Sequence, residues 1–574
     1  MALSRAAGLC RLALRTQWAA VRLLTSVAAG GEPPADASKP GRVIDREALR
    51  RERALRPPDD PALPASSRKA FSAPRPSYEQ VKLNKAISCS STVDEVLDLA
   101  SARPALLNCV IVSTALHRVA KLVGKSEPAL WLKEDARFKQ LMRNARSLVE
   151  RGAMDAQGFS NMLYACGQVG IAPPSSWLNA YWENSALVLG EFVEQALSNT
   201  LYACGQLGIT PPNHWLHRYW GASAAKLGGF IPQDLCNTMY ACGQLGITPP
   251  SKWLQSFWRA SALKMGEFNA QDFSNTLYVC GQLCITPPDY WLQRYWHASA
   301  LKLGEFTEQG LSNTMYACGQ LRITPPDYWL QRYWHASGPK LVEFDEQGLS
   351  ITLLACAQLD AKPPANWLHL FCDSFESSLP DASVQGLTNT ALSMATLGLW
   401  ELQLWPSLWE RLCHALPRDV DNWNPETQLQ AQQLYQSYQA ATLERPGLLS
   451  APDPGTLVAA RKSWIDGMGN TSSSLHAEVS DCLTQMGIAH ANERWCKRAE
   501  RSIDIVIEGA GAPVAVEVDG PHHFLHDGRQ DGSTLLRNRM LAAHGWRVVV
   551  VDFRVWQHEL QTGEQREYLR RLLA

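Results

Sequence analysis

The chain has 574 residues, 46% of them hydrophobic, with a net charge of −1 and a pI near 6.9. This length calls for several domains or one long repeat array, and a charge so close to zero excludes a general electrostatic binder of nucleic acid, which needs a basic surplus. No stretch approaches the roughly 18 apolar residues of a membrane span, and the 15 cysteines include no Cys-x-x-Cys pair, which argues against zinc ribbons and thioredoxin-like chemistry.

Residues 1–31 carry Arg5, Arg11, Arg15 and Arg22 and no acidic residue, Glu32 being the first. Leu, Ala, Val and Trp18 lie between the arginines, the makeup of an amphipathic basic helix and of an organellar transit peptide. Arg11 and Arg15 interrupt the apolar core that a secretory signal would need. The segment suits a mitochondrial matrix or a chloroplast stroma, its low serine content leaning to the mitochondrion. Residues 32–88, rich in Pro, Ala, Ser and charge, read as a disordered linker, and residues 89–150 as a helical N-terminal cap.

An internal period dominates residues 151–424. Pro-Pro followed by Trp occurs at Pro173-Pro174…Trp177 and returns every 38 residues, with Trp215, Trp253, Trp291, Trp329 and Trp367. Each copy reads as two helices. In the copy from Pro287, the prolines stop the preceding helix and permit a new first turn, with Asp289 as a cap. Trp291, Leu292, Tyr295, Trp296 and Ser299 then form an apolar stripe, and Gly304 ends helix A. Thr307 caps helix B, whose inner stripe is Leu311, Met315, Cys318 and Leu321. Neither helix can bury its apolar face alone, so the copies must stack into a solenoid. Most cysteines recur inside the copies, as small core residues of a reducing compartment.

Helix B is nearly constant, while helix A varies at positions that share one helical face. Ser176, Asn179, Ala180 and Glu183 in the first full copy become His214, His217, Arg218 and Gly221, then Lys252, Gln255, Ser256 and Arg259. The next two copies carry Tyr290, Gln293, Arg294 and His297, then Tyr328, Gln331, Arg332 and His335. Stacked, these faces make one polar ribbon whose residue types can hydrogen-bond to or stack on unpaired bases; a plain solvated face is the alternative. Asn199, Asn237, Asn275 and Asn313 recur mid-helix, where Asn is a poor helix former. A structural ladder between copies accounts for them better than RNA contact. The paired tryptophans, such as Trp291 and Trp296, read as core.

A 38-residue helical pair with Pro-Pro-x-x-Trp-Leu and a following Asn-x-x-Tyr-Ala resembles the octotricopeptide repeat family over roughly residues 150–400. The resemblance implies a superhelix that binds single-stranded organellar RNA, about one base per repeat. Later copies depart from the pattern: Ile351 replaces the Asn and Cys372 the second Trp.

Residues 425–473 read as a Gln-rich helix and linker, and 474–574 as a small α/β domain of the order helix, strand, strand, helix, strand, helix. The expected fold class is therefore mainly α: a right-handed α-solenoid of helical hairpins plus a C-terminal α/β domain. Glu517 and Asp519 are two apart on one strand and share a face, with Val516 and Val518 on the other. Asp504 lies on the preceding strand. Three carboxylates converging near His522 and His523 could hold Mg²⁺, with Asp504 and Glu517 as ligands, and orient water for phosphodiester hydrolysis. Turn chemistry at a strand end is the equal alternative.

Glu-Val-Asp-Gly-Pro-His-His-Phe at 517–524, Leu-Arg-Asn-Arg-Met-Leu at 536–541 and Gly-Trp-Arg-Val-Val at 545–549 resemble the RAP domain. That domain is similar to the PD-(D/E)xK nuclease fold, which implies that Glu478, Asp504, Glu517 and Asp519 occupy metal-site positions. The family's lysine two residues after the strand Glu is Asp519 here, which leaves RNA binding, with Arg537, Arg539 and Arg547 as phosphate contacts. The expected function is sequence-selective binding of single-stranded organellar RNA, alone or within ribonucleoprotein complexes, in RNA processing, stability or translation. It needs no cofactor. A Mg²⁺-dependent endoribonuclease using Asp504, Glu517 and Asp519 and a protein-interaction scaffold are the competing readings.

Overall fold

The computed structural model describes residues 76–123, 130–417, 419–468, 473–508 and 512–574. The expected transit peptide, and the expected linker up to residue 75, lie outside the described residues. The chain divides into two compact units, the first ending at Arg218 and the second starting at Tyr219.

The first unit holds α1 (Tyr78–Cys89), α2 (Val93–Ala102), α3 (Cys109–Val123), α4 (Ala136–Glu150), α5 (Ala156–Val169), α6 (Ser175–Val188) and α7 (Glu194–Leu207). Helix α1 corrects the linker expected over 32–88. Ser77 forms a capping box, its hydroxyl accepting from the Gln80 N–H at 3.2 Å and its own N–H donating to the Gln80 side chain at 2.9 Å, and Leu83 and Ile87 are buried. Helix α8 (Asn213–Ala224) comes next.

In the second unit come α9 (Pro232–Leu245), α10 (Ser251–Leu263), α11 (Ala270–Gln282), α12 (Asp289–Ala300), α13 (Glu308–Leu321), α14 (Asp327–Ser337), α15 (Glu346–Gln358), α16 (Ala365–Ser378), α17 (Val384–Thr396) and α18 (Trp405–Ala415). From α9 to α17 the odd-numbered helices are the B helices, and from α10 to α16 the even-numbered ones are the A helices. Asp289 is the first residue of its helix rather than the cap, because Pro288, with φ −69°, already occupies the cap position. Thr307 does cap α13, accepting from the Gly310 N–H at 3.1 Å. Helix A gives way to a 3₁₀ turn, as at Leu303–Glu305. Helix B ends in the left-handed region, where Gly246 has φ +64° and Arg322 stands in the same place with φ +57°.

The two layers pack by different means. The A helices are joined by aromatic pairs, Trp220–Trp253, Trp258–Trp291, Trp296–Trp329 and Trp334–Trp367, with ring centroids 5.1–5.2 Å apart. Each buried indole also donates to a serine of the preceding copy: Trp253 to Ser223, Trp291 to Ser261, Trp329 to Ser299 and Trp367 to Ser337, at 2.8–2.9 Å. The B helices meet backbone to backbone. A Cβ added to Gly281 would lie 3.1 Å from the Ala317 Cα, and one on Gly319 3.0 Å from the Ala355 Cα, so glycine sets the close approach. Lys264 and Lys340 each tie back to two carbonyls of the preceding copy. The helix B cysteines are buried and unbridged.

Helices α19 (Pro425–Glu444) and α20 (Pro454–Gly467) lead to α21 (Ser474–Gln485) and a sheet of β1 (Ala491–Cys496), β2 (Arg501–Ile507), β3 (Val514–Asp519) and β4 (Arg547–Asp552), with α22 (Gly532–Ala543) before β4 and α23 (Phe553–Thr562) and α24 (Gln565–Leu573) after it. The strand order is β1-β2-β3-β4, antiparallel except for the parallel pair β3/β4. Strand β1 is an addition to the expected element order. One sheet face buries Ile505, Val516, Val518, Val549 and Val551 against Val479, Leu483, Trp556 and Leu569. The other covers Ile503, Val506 and Ala515 with Leu541.

Candidate nucleic-acid interface

The variable helix A positions are exposed in every copy where they were expected to contact a ligand. His214, His217 and Arg218 are exposed in the first unit; in the second unit Lys252, Gln255, Arg259, Tyr290, Gln293, Arg294, His297, Tyr328, Gln331, Arg332 and His335 are exposed. The neighbouring tryptophans are not: Trp291 and Trp296 are 0% and 5% exposed, so they belong to the core. Some ribbon residues carry protein contacts. Arg218 donates to the Ala186 carbonyl at 3.3 Å, Arg332 to the Ala300 carbonyl at 3.4 Å, and His214 lies 3.5 Å from Glu183. Both arginines thus bind the end of the preceding helix A, where the dipole favours a cation.

The asparagine ladder does not form. Asn237, Asn275 and Asn313 are half-buried, and among the described residues their side chains make no hydrogen bond. The indole–serine pairs join the copies instead. Only the diverged Asn389 is bridged, by Gln385 at 2.8 Å and Gln433 at 3.1 Å.

In the C-terminal domain the strand carboxylates converge as expected, but around a cation of the chain itself. Arg537 on α22 places its guanidinium 3.2 Å from Glu517 and 2.8 Å from Asp519, both buried. The other Asp519 oxygen accepts from Gln530 at 2.7 Å, and Asp504 accepts from the Val518 N–H at 2.8 Å. Burial pushes the Glu517 carboxyl up to about 7 against the pull of Arg537, and the charges of Asp504 and Asp519 add to the rise. Glu478 accepts the Trp556 indole N–H at 3.0 Å. His523 bonds Thr534 at 3.0 Å, and its ring lies 3.7 Å from Asp519. Among the described residues no three His, Cys, Asp or Glu side chains are grouped to hold a metal ion. Arg537, Gln530 and a backbone N–H take oxygens of Glu517, Asp519 and Asp504, and although the buried Glu517 Oε1 is without a partner, no set of three ligands is left to fit the ion and no hydrolytic step can be derived from it.

The arginines expected as phosphate contacts of this domain make bonds within the protein. Arg537 faces inward to the carboxylates. Arg539 binds Glu444 at 2.7 Å and the helix-end carbonyls of Ala395 and Thr396 at 2.7 and 2.9 Å. Arg547 donates to the carbonyls of Leu572 and Leu573 at 3.1 and 3.0 Å.

The contacts of Arg539 with Ala395 and Thr396 belong to a joint between the C-terminal domain and the late repeats. Arg322 pairs with Asp531 at 3.1 Å and donates to the His522 carbonyl, while its own carbonyl accepts from the His526 N–H at 2.8 Å. Arg529 reaches Thr324 at 3.0 Å. A cleft of about 750 Å³ lies beside the joint, lined by Gln331 of the ribbon, Trp334, Lys362 and Arg529. Sequence reasoning missed Arg322. Its signal was an arginine at a backbone position that favours glycine, held by Gly208 and Gly246 in earlier copies and by Cys284 in the one just before.

A family model described as RAP domain matches residues 516–572, and one described as Tbc2 translation factor, C-terminal domain, matches residues 228–361. A RAP domain-containing protein, chloroplastic, from Oryza sativa subsp. japonica is 28% identical over 187 residues, which are 31% of this chain and 28% of the relative's length. The domain at the C-terminus of this chain is a RAP domain.

Proposed function

We propose that this protein binds single-stranded RNA in an organelle, reading bases along the helix A ribbon, and acts in the processing, stability or translation of organellar transcripts. The observation that carries the reading is the contrast within each copy. The packing residues recur with few changes, while the exposed face of helix A differs among the copies that carry Trp177, Trp215, Trp253 and Trp291, the Trp291 set returning with Trp329. A scaffold needs no such variety; a strand presenting different bases along its length does. Two names support the setting: the relative is a chloroplastic RAP domain-containing protein, and the family model matched by residues 228–361 is described as a translation factor's C-terminal domain. No described helix is long and apolar enough to cross a membrane.

The test is crosslinking of the protein to RNA in purified organelles, followed by sequencing of what is retained. A shared sequence element among the retained transcripts is expected. Retention of no RNA would leave the repeats as a surface for proteins. Exchanging His214, His217 and Arg218 for Ser is expected to alter base preference at one position of that element. A uniform loss over all sequences would mean phosphate contact alone.

A further inference from the structure

With Arg537, Arg539 and Arg547 held by internal partners, the C-terminal domain must offer its free cations elsewhere. They lie at the tip of the β1–β2 hairpin. The strands pair from Ala491↔Val506 to Cys496↔Arg501, and Lys497, Arg498, Ala499 and Glu500 form the turn. Lys497 and Arg498 are exposed, and neither makes an ion pair or hydrogen bond among the described residues. Their neighbours are accounted for: Arg494 pairs with Glu508, and Glu500 is taken by Arg461 and Tyr435, leaving Glu493 as the nearest acid on β1. Burial lowers the proton affinity of His544, and the charges of Arg498 and Arg501 add to that lowering.

Trp495 stands two residues before Lys497. It is 39% exposed, whereas Trp556 of the same domain is 1% exposed. Cys496 enters the apolar cluster beneath the sheet, so Trp495 points to the opposite face, and it belongs to neither cluster that covers the sheet. As the first strand in the sheet order, β1 also has one free edge.

We propose that this hairpin is a second contact for single-stranded RNA: a base stacks on Trp495 while Lys497 and Arg498 take adjacent phosphates. The inference rests on the RNA-binding reading above and adds a site outside the repeats. A flat indole beside two unpaired cations matches the alternation of base and phosphate along an unpaired strand. The hairpin precedes residue 516, where the RAP family match begins.

The test uses the full chain and a labelled random-sequence single-stranded RNA pool, with affinity measured over a range of salt. Trp495→Ala is expected to weaken binding roughly tenfold, and Trp495→Phe much less, since stacking on any aromatic ring is retained. Lys497→Ala with Arg498→Ala is expected to flatten the slope of log affinity against log salt by about 1.4, at about 0.7 per lost phosphate contact. All three side chains are exposed, so the variants should fold, which circular dichroism checks. If the unaltered protein binds the pool and the variants match it in affinity and slope, the hairpin proposal is overturned while the ribbon reading stands. If the unaltered protein binds no RNA, both fall. Loss of binding to phosphatidylserine vesicles in these variants, with RNA affinity unchanged, would also overturn it.

Discussion

One hydroxyl group joins neighbouring copies of the repeat. Ser261 donates to the Phe257 carbonyl one turn back at 2.7 Å and accepts the Trp291 indole N–H at 2.8 Å, with both side chains fully buried. Alanine at this position leaves the indole donor dry, so Ser261→Ala is expected to cost about 1–3 kcal/mol, the penalty of an unsatisfied buried donor. Thermal unfolding of the full chain measures it, and an unchanged midpoint would mean that the pair does not hold the copies together. The sequence made Ser299 and its equivalents legible as part of the apolar stripe, but not as acceptors. Ser261 and Trp291 lie 30 residues apart, and only stacking of the copies brings them into contact. The same holds for Arg537, whose charge and place in a family motif suggested phosphate. Only the fold reveals that α22 aims it at Glu517 and Asp519.

Among the elements, those with a strong period were readable and those without were not. The 38-residue recurrence fixed the order of A and B helices through α16 because every turn was marked by Pro-Pro and every core by Trp. Strand β1 was invisible, since Ala-Asn-Glu-Arg-Trp-Cys has no apolar alternation and buries only its last residue. Strand β3 was readable by its valines, and the converging acids were expected beside it; their partner was not. Burial of Glu517, acting against the pull of that partner, gives the strand a pH dependence. Glu517 has its folded pKa raised from 4.5 to about 7, so the folded domain binds more protons than the unfolded chain between those values. Stability is then full below about 4.5 and falls as pH rises through about 7. Glu517→Gln cannot titrate and is expected to flatten that fall. Thermal unfolding of both proteins at successive pH values checks it, and parallel curves would remove Glu517 as the cause.

For the second unit as a whole, the RAP domain is fastened to the repeats by residues that depart from the repeat consensus. Arg322 is the clearest. It occupies the left-handed position that ends helix B with φ +57°, where Gly208 and Gly246 stand in earlier copies and Cys284 and Asp360 in the flanking ones, and a residue with a Cβ pays for that conformation by roughly 1 kcal/mol. In return its guanidinium reaches Asp531 and the His522 carbonyl. The two effects are separable because they act on different parts of the unit. Arg322→Gly is expected to leave the repeat as stable as before or slightly more so, since the backbone strain is relieved. The same change should loosen the 521–531 loop, whose anchors would fall to Arg529 on Thr324 and the His526 N–H on the carbonyl of residue 322. Hydrogen exchange read peptide by peptide distinguishes them: faster exchange over 521–531 with unchanged protection in α13 is the expected pattern. Equal loss in both segments would mean that Arg322 serves the repeat itself. No loss in either would mean that the half-buried contacts of Arg539 with Glu444 and the helix ends at Ala395 and Thr396 suffice to hold the domain. A fixed joint matters to the proposed function because it keeps Gln331 of the ribbon and Arg529 of the RAP domain on the walls of one cleft. A strand followed along the repeats would then meet the domain at a constant register.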